Sequence, residues 1–79
     1  MLEPTTIAHA MVRLPGLWRQ RQLAALTQAH LAEKAGVQRT TIVNLEKGSE
    51  AFPTTVRKLA DALGCTPADL IEPERESSL

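Results

Sequence analysis

The apolar positions of this chain fall mostly in short helical stripes separated by caps and breakers. Leu31, Ala32 and Ala35 recur at helical spacing, with Thr27 ahead of them as an N-cap and Gly36 behind as a stop, so the pattern predicts a helix over 28–35. A very short turn at Val37 leads into a second segment from about Arg39 to Glu46, with Ile42 and Leu45 on one side and Gly48 closing it. Thr54 precedes Val56, Leu59, Ala60 and Leu63, and Gly64 follows, which predicts a capped amphipathic helix beginning at that threonine. Thr66, Pro67 and Asp69 supply an N-cap, a first-turn proline and a carboxylate at the positive helix end, so a short last helix should carry Leu70 and Ile71 until Pro73 stops it. Upstream, 17–25 reads as a helix with Trp18, Leu23 and Leu26 near its buried side, and Pro15-Gly16 separates it from an earlier helical piece over 5–14.

These stripes predict an all-α domain of five helices, with room for an extra N-terminal helix and no β-sheet. Its expected core contains Leu31, Val37, Ile42, Leu45, Leu59 and Leu63. The domain should occupy 15–72, after an N-terminal extension over 1–14 and before an acidic flexible tail over 73–79. Seventy-nine residues leave little room for a catalytic cleft, and the absence of Tyr with one Trp and one Phe suits a closely packed helical bundle. No apolar run approaches the roughly 20 residues that span a bilayer, and the first residues lack a signal peptide's order, so a cytoplasmic, nucleoid-associated protein is expected. Cys65 stands alone and His9 and His30 lie far apart, which offers neither a disulfide nor a zinc spacing; no cofactor and no metal is expected. Core packing is expected for Cys65 and a surface position for His30.

Formal net charge is zero, which argues at first against a nucleic-acid partner. The distribution reverses that. Between residues 13 and 58 eight basic residues face Glu33, Glu46 and Glu50, a net +5, while the remaining segments carry −5 and concentrate it at Asp69, Glu72, Glu74 and Glu76. Two short helices joined by a glycine-containing turn form a helix-turn-helix, the second helix of which lies in a DNA major groove. At about 100° per residue, Arg39, Thr40, Val43, Asn44 and Lys47 share roughly a 140° arc, opposite Ile42 and Leu45. Arginine can bond a guanine edge, asparagine an adenine edge, and threonine or valine methyls a thymine methyl.

The stretch Leu26-Thr27-Gln28-Ala29-His30-Leu31-Ala32-Glu33-Lys34-Ala35-Gly36-Val37, then Thr41-Ile42-Val43-Asn44-Leu45-Glu46-Lys47-Gly48, then Pro53 and Leu59-Ala60-Asp61-Ala62-Leu63-Gly64, resembles the lambda-repressor-like or Cro-like helix-turn-helix family. The resemblance runs without gaps from about Leu17 to Ile71, and the joint order of its pieces is specific. It implies base contacts at Arg39, Thr40, Val43 and Asn44. It also implies a phosphate contact at Gln28, beside a helix N-terminus, and a structural ion pair between Arg21 and Glu46. Further backbone contacts are expected from Thr41, Lys47, Thr54, Thr55 and Arg57. Three departures stand out: Ala25 where the family often has glycine, Gln38 in place of a Ser or Thr cap, and Glu50-Ala51 in a loop where phage repressors often carry basic residues.

The function expected on these grounds is a transcriptional regulator that binds double-stranded DNA, most simply a repressor whose homodimer occupies an inverted-repeat operator. An exposed apolar seam of Leu70 and Ile71, extended by Ile7 and Met11, is the expected dimer contact. No ligand domain follows the motif, so control is expected through abundance or a protein partner. One alternative is an antitoxin-type subunit that also holds a toxin through 5–14 or the acidic tail. Another is an interaction adaptor that has kept the fold without reading DNA. Catalysis is not expected, because these residues assemble no nucleophile-base pair and no phosphate-cradling glycine loop.

Overall fold

A computed structural model describes residues 11–72 of the chain. In order, these form β1 (Val12–Arg13), α1 (Leu17–Leu23), α2 (Gln28–Ala35), α3 (Arg39–Glu46), β2 (Glu50–Ala51), α4 (Pro53–Leu63) and α5 (Pro67–Ile71). The expected five-helix architecture is present. The expected helical piece over 5–14 lies largely outside the described residues, together with His9, Ile7 and the acidic tail, and its described end is not helical: Val12–Arg13 is extended.

The caps explain why α2 and α5 begin where they do. The Thr27 hydroxyl accepts the His30 amide at 3.0 Å, satisfying one donor that the first turn leaves open. Thr66 and Asp69 form a reciprocal capping box: the Thr66 hydroxyl accepts the Asp69 amide while the Asp69 carboxylate accepts the Thr66 amide. Helices α2 and α4 both end on a left-handed glycine, Gly36 (φ 74°) and Gly64 (φ 70°), and the amides of Val37 and Cys65 then reach back to the carbonyls of Ala32 and Ala60.

Helix α1 uses the same ending without a glycine. The Leu26 amide reaches the Arg21 carbonyl at 3.2 Å, which places Ala25 in the left-handed region at φ 57°. That conformation costs a Cβ-bearing residue about 1–2 kcal/mol. The turn is thus the one a glycine would make, held under local strain. Ala25→Gly removes the strain and gives back part of it as unfolded-state entropy, so a net stabilisation of about 0.5–1 kcal/mol is expected, read as a Tm rise of a few degrees in thermal melts. A lower Tm in the glycine variant would show that Ala25 is unstrained.

Leu14, Leu17, Leu31, Ile42, Leu59 and Leu70 are fully enclosed at the centre, with Leu45, Val56 and Ala60 beside them. Val37, Leu63 and Cys65 pack on this cluster while partly buried. Burial, and after it the Asp69 carboxylate, push the Cys65 thiol up, so the thiolate is disfavoured and the side chain serves as a small apolar filler.

Several expectations are corrected. Val12–Arg13 pairs antiparallel with Glu50–Ala51, in register Val12 to Ala51 and Arg13 to Glu50, so a short two-stranded ladder joins the chain ahead of α1 to the loop after α3. The expected absence of any sheet fails there, because a two-residue pairing needs no sequence signal of its own once packing brings the segments together. Leu14 is only 2% exposed, so the packed unit reaches back ahead of residue 15. Helix α1 ends at Leu23, and Trp18 and Leu23 lie on its outside, 57% and 66% exposed; the stripe it buries is Leu17 and Arg21, one turn apart. Helix α4 opens at Pro53 with Phe52 in the cap position and no side-chain cap, so Thr54 lies inside the first turn. Leu70 belongs to the core and is not part of an exposed seam, whereas Ile71 and Met11 are exposed.

Candidate nucleic-acid interface

Helices α2 and α3 meet through the turn at Gly36, and α3 lays Ile42 and Leu45 into the core. That burial fixes what the opposite face presents. Arg39, Thr40, Asn44 and Lys47 are exposed, and Thr41 and Val43 are half-buried beside them. The structure therefore brings together, on one side of one helix, the residues expected to read bases. Among the described residues Arg39, Lys47 and Arg57 make no ion pair, so their charges are available to an outside partner.

The N-terminus of α3 is open as well. Gln38 occupies the cap position with extended dihedrals, but its side chain accepts no amide of the first turn. Helix α4 is likewise uncapped, and Pro53 at its start has no amide to satisfy. Thr54 is exposed and Thr55 half-buried at that end. Two helix starts with unsatisfied amides, each carrying the positive end of a helix dipole, suit phosphate oxygens.

What holds α3 at its angle is a polar network beneath the reading face. Arg21 is 8% exposed, and its Nε–H and Nη2–H donate to the two Glu46 oxygens, with Nη2 to Oε1 at 3.0 Å. Its remaining Nη1 donates to the Leu26 carbonyl at 2.9 Å, which ties the α1–α2 turn into the same cluster. Glu46 Oε1 also accepts from Gln28 Nε2 at 3.0 Å. One carboxylate at the end of α3 thereby binds the middle of α1 and the start of α2, in the two-bond fork geometry that orients a guanidinium best.

Sequence reasoning anticipated the Arg21–Glu46 pair through the family resemblance. The Gln28 and Leu26 bonds were not anticipated, because nothing local signals them. Thr41, half-buried, is the least open of the residues expected to touch the backbone on α3. Among the described residues no group of His, Cys, Asp and Glu is arranged to hold a metal ion, and no helix is long and apolar enough to cross a membrane.

A helix with a buried apolar side and a free polar side, set behind a second helix by a glycine turn, defines a helix-turn-helix protein. The helix-turn-helix family model matches residues 13–70, and the chain belongs to this lambda-repressor and Cro-like family. It is a regulator that binds double-stranded DNA. No individual curated protein matches it in sequence.

Proposed function

We propose that the protein is a sequence-specific repressor that binds an inverted repeat as a two-fold dimer. The observation that carries this reading is the exposed, unpaired set of Arg39, Thr40 and Asn44 on α3 and Lys47 at its C-cap, above a network that fixes the helix. In this reading Arg39, Thr40, Val43 and Asn44 contact base edges. Gln28, Thr41, Lys47, Thr54, Thr55 and Arg57 hold the backbone. An amide nitrogen has two N–H donors, and one of Gln28's is taken by Glu46, so the other is already aimed when a phosphate arrives. A single recognition helix covers too few base pairs for genomic specificity, hence the dimer, with recognition helices about 34 Å apart on the same face of the duplex. With Leu70 in the core and Ile7 outside the described residues, Ile71 and Met11 are what remains of the expected seam for its contact.

The test separates base reading from backbone holding. On an operator selected from a random duplex pool, Asn44→Ala is expected to cost about 1–3 kcal/mol while leaving a scrambled duplex unaffected. Gln28→Ala is expected to weaken both duplexes by similar factors. Equal losses on both duplexes for Asn44→Ala would remove base reading from that side chain. Sedimentation of the protein as a monomer on its operator would remove the dimer.

A further inference from the structure

We propose that the groove between the start of α1 and the C-terminal end of α3 is a second DNA-backbone anchor, in which Arg13 and Lys47 hold adjacent phosphates and the Trp18 indole packs on the intervening sugar. The proposal rests on the DNA-binding reading above and adds Arg13 and Trp18 to it.

The groove has a volume of about 330 Å³ and is lined by Leu14, Pro15 and Trp18 from the start of α1 and the segment before it, and by Leu45, Glu46 and Lys47 from the end of α3. Trp18 is the chain's single tryptophan, and it stands 57% exposed. Burying Leu17 and Arg21 turns Trp18 outward, and leaving so large an apolar ring open to water forgoes burial. Two cations border the same space, and neither Arg13 nor Lys47 makes an ion pair among the described residues. The only carboxylate lining the groove is Glu46, and both of its oxygens are occupied by Arg21 and Gln28. The groove therefore presents two cations that make no ion pair among the described residues, beside apolar side chains, with Glu50, the cross-strand neighbour of Arg13, outside its lining. A phosphodiester segment has the matching chemistry, anionic oxygens alternating with apolar sugar edges.

Position points the same way. Lys47, the C-cap of α3, follows Asn44 by three residues at the end of the same exposed side, so the groove continues the reading surface. An eight-residue helix is about 12 Å long, so its C-terminal end, where the groove lies, stands within about 12 Å of the residues at its start that face the bases. Arg13 is carried to that end by the β1–β2 ladder, which gives the ladder a function: it places a cation from ahead of α1 beside Lys47.

The test uses the full chain, with the selected operator and a scrambled duplex at several salt concentrations. Removing one phosphate-neutralising cation lowers the magnitude of the salt slope by about 0.9 per protomer, equivalent to roughly 8-fold weaker binding at 0.1 M salt. Arg13→Ala is expected to produce that change on both duplexes, and Arg13→Lys to restore most of it. Iodide, drawn to the two cations, is expected to quench Trp18 emission in the free protein and to lose most of that access when either duplex is bound. Far-UV circular dichroism unchanged in Arg13→Ala keeps the comparison clean, and the quenching arm needs no variant at all. An unchanged slope for Arg13→Ala, or unchanged iodide access to Trp18 in the complex, would overturn the anchor while the reading of DNA by α3 stands. Protection of Trp18 by added protein in the absence of DNA would overturn it in favour of a contact between copies. A wild-type protein that binds neither duplex would remove the DNA-binding reading and the anchor together.

Discussion

Gly16→Ala is expected to destabilise the protein by about 2–4 kcal/mol, far more than its single added methyl group suggests. Gly16 has ordinary helical dihedrals, so the requirement for glycine is one of space. A Cβ there would stand 2.2 Å from the Asp69 carbonyl oxygen and 3.2 Å from those of Leu70 and Glu72. All three are backbone atoms at the end of α5, and none can rotate away. The Gly16 amide donates to the Leu70 carbonyl at 2.8 Å, so the two segments are held at the distance the methyl group would violate. Parting them costs that hydrogen bond, about 0.5–1.5 kcal/mol, on top of an overpacking cost of about 1–3 kcal/mol. It also draws Leu17 and Leu70, both fully enclosed, out of contact. For a domain of this length the expected loss is a Tm lower by about 10–25 °C. A matched Ala at Gly36, where nothing lies within 4 Å, meets only the left-handed φ and should cost about 1 kcal/mol. Melts of the two variants side by side check the argument, and a Gly16→Ala Tm within a few degrees of wild type would show that α5 yields.

The same contact shows which parts of this fold local chemistry announces. Helices α2, α3 and α5 were legible at close to their true bounds because Thr27, Gly36, Thr66, Pro67 and Asp69 act on amides and carbonyls within a few residues of themselves. Gly16 was legible only as a breaker; its role as a spacer depends on Asp69, more than fifty positions away. Helix α1 misled for the same reason. Its hydropathy points Trp18 and Leu23 inward, but the face that meets α3 carries Arg21, and an arginine is a tolerable interior residue only beside Glu46, twenty-five positions on. The doublet Leu70-Ile71 looked like one exposed seam, although adjacent residues on a helix point about 100° apart and the core takes only the first. The polar face of α3 was legible because Ile42 and Leu45 leave a single way to orient that helix. The groove beside it was not, since the ladder that carries Arg13 there consists of two long-range residue pairs.

Glu46→Ala is expected to be the most damaging single change among the residues that support the reading face, at about 3–5 kcal/mol of unfolding free energy. The carboxylate and the guanidinium of Arg21 are 8% and 10% exposed, so both have largely exchanged water for each other. Removing Glu46 leaves the Arg21 charge inside with only the Leu26 carbonyl, and leaves Gln28 without its acceptor. An uncompensated buried charge of this kind costs more than the pair contributes, because desolvation of each ion offsets most of their attraction. That asymmetry makes a double variant informative. Arg21→Met with Glu46→Leu fills the same volume with apolar atoms and is expected to recover most of the stability lost in Glu46→Ala. It is not expected to recover DNA binding. With the carboxylate gone, Gln28 is no longer oriented, and the loss of one aimed hydrogen bond, about 1 kcal/mol, weakens operator and scrambled duplex alike by about 5-fold. Urea unfolding of the two variants, followed by titration of both duplexes at one salt concentration, separates the two roles. A double variant that is as stable as wild type and binds as tightly would show that the network serves neither to hold α3 nor to aim Gln28, and a Glu46→Ala cost below about 1 kcal/mol would show that water reaches the pair and screens it.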